Sequence, residues 1–93
     1  LPMSAAPTSR DARTATLALL ATRAEGATIC PSEVARTLAA AAGTEDWRAA
    51  MPIVHTAVDG LVTDGLIRLS WKGDAKPTRK GPYRIARPAS GDR

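Results

Sequence analysis

The chemistry-bearing side chains of this 93-residue chain are few, and most of them are cationic. Lys72, Lys76, Arg79 and Lys80 place four positive charges in nine residues, around a Gly- and Pro-containing stretch from Gly73 to Gly81. Cations on such a loop suit contacts to phosphate; the plainer reading is a solvated, self-repelling loop. Upstream, Arg48, His55 and Thr56 offer weaker polar contacts, and His55 would touch phosphate only when protonated. One His cannot make a metal cluster and one Cys cannot close an internal disulfide, so neither metal nor cofactor is expected.

Cys30 is the nucleophile with the most suggestive address. It precedes Pro31, Ser32 and Glu33, where a helix should begin, and the orphan N–H groups of such an end lower a thiol pKa. Glu33 opposes a thiolate there, and no His or second Cys lies nearby in sequence. A Cys standing in for Ser at a cap, or buried as a small hydrophobe, is the better account. The chain also lacks a Gly-rich phosphate loop ahead of a helix, a pair of acids on one apolar face and a nucleophile–base pair. It reads as a non-enzyme with no small-molecule substrate.

The elements that must position these residues form one small domain. Hydrophobic residues make up 44% of the chain, but nineteen of them are Ala and the aromatics are only Trp47, Trp71 and Tyr83. That supports a modest aliphatic core of three or four elements. The longest apolar run, Ala15 to Ala21, is far shorter than the roughly 20 residues of a membrane span. With no signal-peptide pattern, a cytoplasmic protein off the membrane is the expectation. Residues 1–8 read as a loose tail, with Leu1-Pro2 an addition ahead of a natural start at Met3. Residues 9–87 form the domain, and 88–93 a second polar tail.

Charge is segregated along the chain. Residues 1–65 carry a net −2, whereas residues 66–93 carry +6. A positive element on a mildly acidic body points to an anionic partner, nucleic acid first.

Helical spacing of Leu17, Leu20, Ala21 and Ala24 predicts a first helix from about Arg10, capped by Ser9 or Asp11 and stopped by Gly26. A strand stub at 27–29 follows. Pro31 at a first helical position and Glu33 as the acidic half of a capping box open a second helix, which buries Val34, Ala35 and Leu38 and ends at Gly43. Thr44 caps the next start. Pro52 either kinks one helix or separates a short helix at 45–51 from a longer one beginning near Pro52; the second fits better. Both end at Asp64-Gly65. Ile67, Leu69 and Trp71, then Tyr83 and Ile85, alternate with polar residues as two strands of an antiparallel hairpin. Between them lies the long basic loop. Trp71 beside Lys72 could stack on an unpaired base, though closing the core beneath the loop is the stronger reading. Trp47 falls on the apolar stripe, and Tyr83 is core with its hydroxyl reaching outward.

Helix, strand stub, helix, turn, helix and basic hairpin make an α+β, mostly helical chain that resembles a winged helix. Val54, Ala57, Val58 and Leu61, with Asp64, Gly65, Leu66 and Ile67, carry that likeness. Ile29 to Arg36, Trp47-Arg48 with Met51-Pro52, and Gly81 to Ile85 further resemble a family of short bacterial proteins with no assigned function. The resemblance implies a third helix entering the DNA major groove and a hairpin, the wing, on the backbone. The wing fits that expectation. The third helix fits poorly, because bases are read mainly by Arg, Lys, Asn and Gln, and the chain has no Asn or Gln. Glu45, Asp46, Asp59 and Asp64 against Arg48 also leave the segment acidic. The expectation is a phosphate grip on double-stranded DNA or another nucleic acid with little sequence readout. The alternative is a protein partner or homodimer on the neutral face of Ala49, Pro52, Ile53, Thr56 and Gly60; Ile53 could instead pack on the first helix or the tail.

Overall fold

The computed structural model describes residues 7–76, 79 and 81–88. Three helices, α1 (Ser9–Ala21), α2 (Pro31–Ala41) and α3 (Met51–Thr63), pack beside an antiparallel sheet of β1 (Thr28–Ile29), β2 (Arg68–Trp71), β3 (Asp74–Lys76) and β4 (Arg84–Ala86). The sheet order is β1-β4-β2-β3. This is an α+β architecture consistent with a winged-helix-like fold.

Local chemistry sets most boundaries. Pro31 occupies the first turn of α2, and the Glu33 carboxylate accepts the Cys30 N–H at 2.9 Å. At the other end Gly43, at φ +77°, lets the Thr44 N–H reach back to the Ala39 carbonyl at 3.0 Å. Gly65 closes α3 the same way, with the Leu66 N–H on the Leu61 carbonyl. Both are left-handed stops that satisfy otherwise orphaned carbonyls. Pro52 is accommodated as the second reading foresaw: a 3-10 turn, Trp47–Ala50, precedes α3, and the ring falls in the first turn, where its missing N–H costs nothing. The Thr44 hydroxyl caps only the approach, accepting from the Asp46 N–H.

α1 departs from expectation. Thr8 caps it, exchanging hydrogen bonds with Asp11, and the helix ends at Ala21, so Gly26 serves a later turn. Its buried face is Ala12, Thr16 and Leu20, whereas Leu17 is exposed. Thr16 can be buried because its hydroxyl donates to the Ala12 carbonyl one turn back, at 2.7 Å. The core joins these residues to Ile29, Val34, Leu38, Val54, Val58, Leu61, Ile67, Leu69 and Ile85.

The β2–β4 pairing follows the expected hairpin, with Leu69 opposite Ile85. The intervening segment, however, is not all loop. It turns at once into β3, with Trp71 opposite Asp74 across Lys72-Gly73, both at positive φ. A two-residue turn of this kind matches the twist of its strands. Trp71 is 37% exposed and closes no part of the core; pairing Leu69 with Lys76 rather than with the end of a long loop carries the strand beyond the core edge.

Candidate nucleic-acid interface

The expected wing cations occupy different settings. Lys72 stands at the exposed tip of the β2–β3 turn, the one non-glycine among the described residues with positive φ, at 54°. Lys76 is half-buried, and its ammonium donates to the Pro82 carbonyl at 2.9 Å. Arg79 reaches α3 and pairs with the Asp59 carboxylate through two hydrogen bonds, at 2.9 and 3.1 Å. The Arg79 hydrogen bond holds the Asp59 carboxyl below its ordinary pKa. Lys80 lies outside the described residues.

Among the described residues, the other cations of the C-terminal segment serve the architecture. Arg87 donates to the Leu20 carbonyl, at 2.7 Å from Nη2, and to the Arg23 carbonyl at 2.6 Å. It thereby supplies the positive end-group that α1 lacks in its own last turn. Arg84 donates to the Thr28 hydroxyl at 2.7 Å, and Arg68 to the Arg87 carbonyl at 3.0 Å. The positions of these guanidinium groups follow from the fold.

On α3 the outward stripe is Pro52, Thr56, Asp59 and Thr63. The Thr56 hydroxyl donates to the Pro52 carbonyl of its own helix. His55 is half-buried and lies 2.8 Å, Nδ1 to hydroxyl, from Tyr83. Burial first, then Arg79, lowers the His55 pKa, and burial raises that of Tyr83. The two groups share one hydrogen bond, whose donor is set by the imidazole tautomer. His55 therefore ties β4's entry to α3. Arg48 is exposed on the 3-10 turn.

The neutral face foreseen as a docking surface is divided. Ala49, Pro52 and Thr56 are exposed, but Ile53 is packed against the core and Gly60 lies beneath α1. A Cβ built on Gly60 would stand 3.0 Å from the Arg13 guanidinium, which in turn pairs with Asp64. Cys30 is half-buried at the α2 cap, where its sulfur accepts from the Ser32 hydroxyl at 3.1 Å.

A family model described as "Protein of unknown function (DUF3253)" matches residues 9–88, from the start of α1 to just past β4. The chain belongs to the DUF3253 family. No curated protein matches it. The DUF3253 match takes in all three helices, all four strands and both partners of the Arg79–Asp59 pair. In this DUF3253 chain no helix among the described residues is long and apolar enough to cross a membrane.

The placement of Arg79, the exposure of Trp71 and the structural use of Arg84 and Arg87 were missed in the sequence. Only for β3 was there a local signal: Lys72-Gly73 between two polar-alternating stretches could have suggested a two-residue turn.

Proposed function

We propose that the chain is a winged-helix protein of the bacterial cytoplasm that binds nucleic acid by its phosphates, with little base readout. The observation that carries this reading is Lys72. A lysine in the left-handed region is disfavoured by roughly 1 kcal/mol or more relative to Gly, which is free to adopt it. Asn would also fit that turn position better. The chain nevertheless places a cation there, at the apex of the hairpin. Arg79 supports the reading, since its bridge neutralises the acid on α3's outward stripe and joins wing and helix in one surface.

The outward stripe of α3 offers no Arg, Lys, Asn or Gln, so backbone contact without sequence reading is the consistent mode. The test is fluorescence anisotropy with a random-sequence duplex at several salt concentrations. Four wing contacts predict a log–log slope near −3.6, and three, with Arg79 retained by Asp59, about −2.7. Reversing charge at Lys72, Lys76 and Lys80 should abolish binding. Absence of binding at low salt would reject the reading.

A further inference from the structure

Trp47 opens the 3-10 turn half-buried, packed against the core, and two guanidinium groups lie over its ring. Arg36 of α2 has Cζ 4.5 Å from the centroid, and Arg48 has Cζ 4.6 Å from it. Both arginines are exposed. The ion pairs among the described residues are Arg13–Asp64, Arg23–Glu33 and Arg79–Asp59, so neither of these two arginines takes part in one. Glu45 lines the same shallow depression as Arg36 and Trp47, yet forms no ion pair with them.

An aromatic ring fixes a guanidinium without neutralising it. The planar group laid on the ring keeps its N–H edge available for an oxyanion, which a carboxylate partner would have occupied. Bringing two such cations to one indole is repulsive until an anion joins them. The arrangement also excludes one competing use: with guanidinium groups over it, the Trp47 ring is not an open platform for an unpaired base.

The location matters as much as the chemistry. The 3-10 turn runs directly into α3, so Arg48 lies four residues before Pro52, at the head of the outward stripe. Arg79 sits on Asp59, further along the same stripe. Arg48 and the Arg79–Asp59 pair thus mark two points along the stripe, separated by on the order of 17 Å at the α-helical rise of 1.5 Å per residue. With one charge per about 3.4 Å on each DNA strand, that span corresponds to about five phosphates.

We infer that Arg36 and Arg48, held on Trp47, form a clamp for a backbone phosphate of double-stranded nucleic acid, separate from the wing. This rests on the proposed function and adds a second contact point to it. The experiment compares the wild-type protein with R36Q/R48Q and R36K/R48K, using anisotropy of a labelled random-sequence duplex across a salt series. R36Q/R48Q should bind about tenfold or more weakly at low salt, with a slope shallower by about 0.9 for the one phosphate no longer neutralised. R36K/R48K should keep the slope but bind more weakly, because an ammonium lacks the planar fork. In a Trp71→Phe protein, where Trp47 is the remaining tryptophan, the duplex should change the emission saturably, and R36Q/R48Q should remove that change. Circular dichroism of each variant confirms that the fold persists. Wild-type affinity and slope in R36Q/R48Q would overturn the clamp while leaving the wing reading intact. Failure of the wild-type protein to bind any duplex would reject the nucleic-acid reading, and the clamp with it.

Discussion

Arg79 grips Asp59 through Nε at 2.9 Å and Nη2 at 3.1 Å, tying the basic segment after β3 to the outward face of α3. The two residues are twenty apart in sequence. Their pairing turns two opposed features of the chain, a basic wing and an acidic third helix, into one surface of lower contrast. It also means that Arg79 must leave an existing partner before it can take a phosphate.

Asp59→Asn should therefore strengthen duplex binding and steepen the salt slope by about 0.9, as one more cation becomes available. The stability cost should be small, roughly 0–1 kcal/mol, because the pair is solvent-exposed. A salt titration alongside thermal unfolding checks both. Unchanged or weaker binding would show that Arg79 makes no phosphate contact.

Lys72→Asn should separate stability from binding. Asn tolerates positive φ better than Lys, so the variant should unfold at a higher temperature, by up to about 1 kcal/mol. Loss of the apical cation should make the salt slope shallower by about 0.9. Arg87→Ala should show the opposite pattern. Removing its bonds to the Leu20 and Arg23 carbonyls should cost about 1–3 kcal/mol and leave the slope nearly unchanged.

His55 predicts an acid sensitivity near neutrality. Burial holds its pKa below the ordinary 6.5, so the unfolded chain binds the proton more readily than the folded one. The contribution is fully present above pH 6.5 and is lost as pH falls through the folded-state value. Stability measured from pH 7.5 downward should fall in wild type and fall less in His55→Gln. Tyr83→Phe, which removes the hydroxyl from His55, should cost about 1 kcal/mol at pH 7.5.

Gly60→Ala tests how tightly α1 sits on α3. The backbone there is helical, and Ala exceeds Gly in helix propensity by about 1 kcal/mol. The new methyl meets only the end of the Arg13 side chain, which can move aside with loss of a surface ion pair. Net stabilisation of several tenths of a kcal/mol is expected from urea unfolding. A loss instead would show that Arg13 is held in place.

The sequence alone determined features governed by neighbours along the chain. Pro31, Glu33, Gly43 and Gly65 fix helix ends because caps and left-handed stops act within a few residues. Pro52 separates the 3-10 turn from α3 for the same reason. Alternation of Ile67, Leu69 and Ile85 marked two strands and placed those side chains in the core. The concentration of cations after residue 65 was equally visible.

Tertiary structure decided which of those cations face outward. Arg87 meets a carbonyl 67 residues away and Arg84 a threonine 56 away, distances at which no local pattern signals a partner. The same holds for Arg79 and Asp59. The buried face of α1 was also beyond local reading: a hydroxyl satisfied inside the helix lets Thr16 enter the core, while Leu17 turns to solvent. Short-range geometry is written in residue type and spacing. The pairing of long, flexible side chains depends on which helices and strands the folded core brings together.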